Sequence, residues 1–148
     1  MPARMITVCL LLSLAPCMAQ VTFETEAFTW TLSAEGRTEA LVAHATGEDL
    51  CKSTLPAFEL TAGNTVFSPE SIRLEGDMLH VRFARGAGKC AFRVSRGSGH
   101  VLLKLADLQT AAPMNAIVLC RLYVPKEGTV AHTLNALRGE RTTIGVIP

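Results

Sequence analysis

Ser71-Ile72-Arg73-Leu74-Glu75-Gly76-Asp77-Met78-Leu79-His80-Val81-Arg82-Phe83-Ala84 alternates apolar and polar side chains on both sides of its Gly-Asp pair. A two-residue turn at Gly76-Asp77, with Gly free to take positive φ, pairs Leu74 with Leu79 and Ile72 with Val81. Arg73 then faces His80 on the other side. One register thus puts the apolar residues of both arms on a single face, the consistency a half-buried antiparallel hairpin requires.

The same period of two runs outward from this hairpin, and no segment keeps a helical period for three turns. Toward the N-terminus, Val21 to Glu26 and Phe28 to Ala34 read as strands, with Phe28, Trp30 and Leu32 sharing a face. Glu35-Gly36 turns the chain into Arg37 to Ala45. Thr46-Gly47 and Leu55-Pro56 punctuate the next stretch, and Ala57 to Thr61 is a short strand ending at Gly63-Asn64. Toward the C-terminus, Gly86 and Gly88 mark a turn into Cys90 to Ser95, and Gly97-Ser98-Gly99 leads to His100 to Ala106. Asp107 to Asn115, broken by Pro113, reads as a loop. Ile117 to Val124 resumes as a strand with Val118, Cys120, Leu122 and Val124 on one face. Weaker strands follow at Thr129 to Leu134 and Arg141 to Ile147. About nine or ten short strands joined by Gly-marked turns predict an all-β fold, an antiparallel β-sandwich.

Residues 1–19 read differently. Arg4 supplies a basic start, Ile6 to Ala15 an apolar run, and Pro16-Cys17-Met18-Ala19 a small-residue exit before Gln20. That order is the pattern of a cleavable secretory signal, which predicts a secreted or periplasmic protein. Pro16 breaks the apolar helix and leaves an extended stretch for a protease, favouring cleavage after Ala19 over lipidation at Cys17. A membrane span needs roughly 20 apolar residues, and Arg121 interrupts the best later run, Ala116 to Val124.

Residues 20–148 then form one domain, of a size at which folding buries roughly two-thirds of the chain's surface. Arg4 leaves with the signal, so the 14 cationic and 13 acidic side chains of the whole become balanced. That balance gives no global steering toward nucleic acid. At the other end, Thr142 to Ile147 is an apolar, β-prone stretch just before Pro148. Such an edge fits either a native terminal strand or a domain truncated at its C-terminus.

Phe28-Thr29-Trp30-Thr31-Leu32-Ser33-Ala34-Glu35-Gly36-Arg37, followed by Leu41 and Thr46-Gly47-Glu48-Asp49-Leu50, carries a family resemblance. It resembles the opening of the N-terminal galactose-mutarotase-like β-sandwich domains of exported bacterial glycoside hydrolases, where a strand, an acidic-Gly turn, a second strand and a Thr-Gly-acid turn recur. The resemblance implies a non-catalytic, carbohydrate-related accessory domain that packs against a C-terminal catalytic domain and shapes its cleft. This body is shorter than the usual sandwich of that family. The family's acid/base carboxylates belong to the catalytic domain, so no catalytic residue carries over. The alternative is a self-contained binding module for a glycan or protein partner, a monomer.

Side chains with chemical potential are scattered. His44, His80, His100 and His132 lack metal-ligand spacing, and Ser98 and His100, two apart, lack the geometry of a nucleophile and its base. Glu24, Glu26, Glu48 and Asp49 read as charges on solvated strands and turns, and no metal or cofactor is expected. Cys90 and Cys120 fall on the core faces of their strands, where they are either one disulfide or two buried thiols. Trp30 reads as core and Tyr123 as the one aromatic platform available for a sugar. The sharper signal is electrostatic. No acid lies between Asp77 and Asp107, whereas Arg82, Arg85, Lys89, Arg93, Arg96 and Lys104 do. Arg82, Arg93 and Lys104 take outward positions on successive strands, a stripe suited to an anionic glycan or surface polymer.

Overall fold

The computed structural model describes residues 20–51 and 55–122, together with three strand segments beyond them. Residues 1–19 and Tyr123 lie outside it, as does His132. The fold is all-β. Eleven antiparallel strands form three sheets between Val21 and Val118. The first sheet runs in sequence order through β1 (Val21–Glu24), β2 (Phe28–Leu32), β3 (Thr38–Ala43) and the two-residue β4 (Glu48–Asp49). A small sheet contains β5 (Glu59–Ala62) and β6 (Thr65–Phe67). The largest sheet holds β7 (Pro69–Glu75), β8 (Met78–Phe83), β9 (Gly88–Arg96) and β10 (Val101–Thr110), a meander in which each strand pairs with the next. β11 (Ala116–Val118) returns to pair with β5. Three further strands, β12 (Thr129–Ala131), β13 (Ala136–Arg138) and β14 (Thr143–Gly145), pair as a separate meander.

The β7–β8 hairpin has the register its sequence dictates: Ile72 opposite Val81, Arg73 opposite His80, Leu74 opposite Leu79. Gly76 takes φ 61 and Asp77 does not enter the left-handed region, the pattern of a tight turn led by glycine. The β1–β2 turn is held by Thr25. Its hydroxyl accepts from the backbone N–H groups of Ala27 (3.2 Å) and Phe28 (3.0 Å). At the β2–β3 turn Gly36 has φ 70, and a Cβ there would meet Ile72 Cγ2 at 3.0 Å. Glycine is needed twice over at that position, for its backbone and for the approach of β7.

The three sheets enclose one core. Phe23, Trp30 and Leu32 enter from the first sheet, Leu60 from the small one, and Phe58 from the segment just ahead of β5. Leu79, Val81, Phe83, Cys90 and Phe92 enter from the third. Phe58 stacks on Phe92 with ring centroids 5.5 Å apart, and Phe23 packs on Trp30 at 5.3 Å. Full burial of each such ring is worth about 1.5–3 kcal/mol. Trp30 is a core residue, and its indole N–H donates to the buried Thr38 hydroxyl at 3.3 Å. Among the described residues no buried side-chain N or O lacks a partner, as native packing requires.

Two local expectations are corrected, and one strand is added. The stretch from Asp107 is not a loop at its start, because β10 continues through Thr110 with a bulge between Leu105 and Asp107. Of the expected Ile117–Val124 strand, Ile117 and Val118 belong to β11 and residues 119–122 leave the ladder, while residues 123 and 124 lie outside the described residues. Past it, the Arg121 N–H donates to the Ala57 carbonyl at 2.8 Å, and the Arg121 guanidinium pairs with Glu59. Thr65–Phe67, which lacks a full alternation, forms β6 because the Gly63 turn folds it back onto β5.

Candidate functional site

The outer face of the β7–β10 sheet is built from the polar half of the alternation. The pairings align it in three rows across the strands. Ser71, Arg82, Lys89 and Gln109 form one; Arg73, His80, Ala91 and Asp107 the middle; Glu75, Met78, Arg93 and Lys104 the third. Arg82, Arg93 and Lys104 are all exposed on this face, as the sequence predicts. They do not form a single straight stripe. Arg93 stands opposite Lys104, while Arg82 stands opposite Lys89. Lys89 and Arg93 are four residues apart, so the two basic rows lie roughly 13 Å from each other.

The middle row between them is a depression. Ala91 points outward yet is only 7 % exposed, because larger side chains surround its methyl group. Arg73, His80, Arg82, Lys89 and Asp107 ring it, and the concavity has a volume of about 770 Å³. Two cations on the face have acidic partners: Arg73 Nε is 2.9 Å from Glu75, and Arg93 Nε is 3.6 Å from Asp77. These pairs are exposed and worth little. Arg82, Lys89 and Lys104 have no ion-pair partner among the described residues.

Two cations of the same sequence run are used elsewhere. Arg96 has the inward parity of β9 and lies over the Phe23 ring, 5.7 Å from its centroid. Arg85 occupies the 3-10 turn Ala84–Gly86 with φ 58. The sequence does not single out Asp107, because the stretch it opens has the composition of a loop. Its signal lies in the apolar parity of β10, where Val101, Leu103 and Leu105 are followed by Leu108. An odd-to-even switch of that kind marks one extra residue in a strand.

The other candidates are structural or apart from one another. Asp49 accepts from the N–H groups of Leu41 and Cys51, both at 3.0 Å, which ties its carboxylate to the backbone. His44 bridges the Glu26 carbonyl and the Thr29 hydroxyl. Ser98 and His100 are exposed and share no hydrogen bond. The His100 ring lies against Gly97, where it leaves no room for a Cβ. Among the described residues no three His, Cys, Asp or Glu side chains converge as metal ligands would. Cys90 and Cys120 are separate thiols. Burial pushes Cys90 up to about 12, with the Asp107 carboxylate adding to it, and burial raises Cys120 to about 11. Both stay protonated near neutral pH, which removes nucleophilic character.

Comparison with family models, with curated proteins and with solved structures finds no match to this chain.

Proposed function

We propose that this chain is an exported, non-catalytic β-sandwich that binds an anionic polymer through the outer face of its β7–β10 sheet. The observation that carries this reading is the strand register, which gathers Arg82, Lys89, Arg93 and Lys104 onto one exposed face. A protein with a balanced overall charge thereby acquires a local positive field, and such fields concentrate oppositely charged partners. A free-standing module and the accessory domain of a glycoside hydrolase would use the face alike, to hold a polymer without chemistry of their own.

The experiment is retention on a sulfated-polysaccharide resin at low salt, followed by elution in a salt gradient. The chain should be retained, and Arg82→Ser with Arg93→Ser should elute at distinctly lower salt, since the contacts are exposed and screened by ions. Elution unchanged by that double substitution overturns the proposal.

A further inference from the structure

Resting on the proposed polymer-binding face, we infer that its ligand is an acidic polysaccharide, with one hydroxylated sugar ring seated on Ala91 between the two basic rows. A site built only for negative charge has no use for a carboxylate at its centre. Yet Asp107 stands opposite Ala91 in the middle row, among Arg73, His80, Arg82 and Lys89. Its side chain is fixed from one side by Gln109, whose Nε2 donates to Asp107 Oδ2 at 2.9 Å.

A carboxylate held in this way accepts hydrogen bonds and repels anions, so it suits a ligand that brings hydroxyl donors along with its charges. Sugar hydroxyls are such donors, whereas a bare polyphosphate has none along its length. The methyl of Ala91 gives a flat, small apolar floor to the depression, space that a longer side chain would fill. Arg82 with Lys89 on one flank, and Arg93 with Lys104 on the other, then meet acidic groups of neighbouring sugars. Carboxylated and sulfated glycans share this chemistry.

The test compares polygalacturonate, heparin and long-chain inorganic polyphosphate by direct titration of the full chain, the Asp107→Asn variant and the Ala91→Leu variant. Removing the carboxylate should affect the two ligand types in opposite directions. Asp107→Asn should weaken binding of at least one of the two glycans about ten-fold, the scale of a hydrogen bond to a charged group. It should leave polyphosphate binding unchanged or tighter, because one repulsive charge is gone. Ala91→Leu, on the outer face, should weaken the glycan and spare polyphosphate. Thermal melting of each variant separates loss of binding from loss of fold. If a folded Asp107→Asn binds both glycans as tightly as the unaltered chain, or more tightly, the acidic-sugar inference is overturned while the polymer-binding face stands. Should none of the three polymers bind, the polymer-binding face itself is overturned, and the inference with it.

Discussion

Asp107 stands opposite Ala91 because Ala106 is an extra residue in β10. Before the bulge, Leu103 faces Val94 and Leu105 faces Phe92; beyond it, Leu108 faces Cys90. The pairing skips Ala106, so the alternation along the sequence shifts by one. The skip keeps the apolar side chains of a ten-residue strand turned inward at both ends and leaves Asp107 on the outer face.

Deleting Ala106 should therefore leave both faces intact, because Leu105 would join Asp107 directly, with Asp107 still opposite Ala91 and Leu108 still opposite Cys90 in an uninterrupted ladder. A change within about 1 kcal/mol is expected, as for other surface changes away from the core. Urea denaturation measures it. A loss several times larger would mean that the faces flip and that Ala106 is not the extra residue.

Gly88 and Gly63 are both glycines in the hairpin-rich part of the chain, and alanine should affect them differently. At Gly88 a Cβ would lie 2.5 Å from the Gln109 carbonyl oxygen and 3.2 Å from Thr110 Cα, both backbone atoms that cannot step aside. At Gly63 the space is open, and only the backbone conformation, φ 58, resists a side chain. Gly88→Ala should destabilise by about 3 kcal/mol, and Gly63→Ala by about 1 kcal/mol. Equal costs would contradict the close approach of β9 and β10.

The parts of the fold legible in the sequence are those where one local signal was unopposed. Gly76-Asp77 lies between two alternating arms, and its hairpin follows residue for residue. Arg82, Arg93 and Lys104 face outward for the same reason, since parity along a regular strand is a local property. Lys89 and Ala91 share that parity, but their importance comes from cross-strand neighbours, which only the register supplies. Asp107 was hidden by the bulge, because strict alternation from His100 breaks at Ala106 and imitates a strand end. β11 is short for a similar reason. Ile117 to Val124 has the pattern of a longer strand, but the contacts of Arg121 with Ala57 and Glu59 draw the chain along β5.

Arg85 offers a gain in stability. It is the one non-glycine among the described residues with positive φ, and it is exposed at the tip between β8 and β9. Its side chain is not part of the ring around Ala91. Arg85→Gly removes the steric conflict between Cβ and the left-handed backbone, against a smaller cost in unfolded-chain entropy. An increase of about 0.5–1 kcal/mol is expected. A lower melting temperature in the variant would show that the Arg85 side chain makes a contact worth more than its strain.

The two raised thiols give the fold an alkaline limit. In the unfolded chain a cysteine titrates near 9.0, whereas in the folded protein Cys90 is held near 12 and Cys120 near 11. The folded state therefore keeps its protons where the unfolded state has lost them. This contribution is fully present below pH 9 and is lost as pH rises through the folded-state values, because ionisation increasingly favours unfolding. Denaturant midpoints of the unaltered chain should fall from pH 9 upward more steeply than those of a Cys90→Ala, Cys120→Ala variant. The double variant also trims one buried and one half-buried side chain, so its midpoint should be lower at neutral pH, and the comparison rests on slope alone. At neutral pH, modification of Cys90 by a thiol reagent should proceed only as fast as the protein opens, since burial both protonates and shields it. Parallel pH profiles in the two proteins, or rapid labelling of Cys90 in the native state, would place that thiol outside the core.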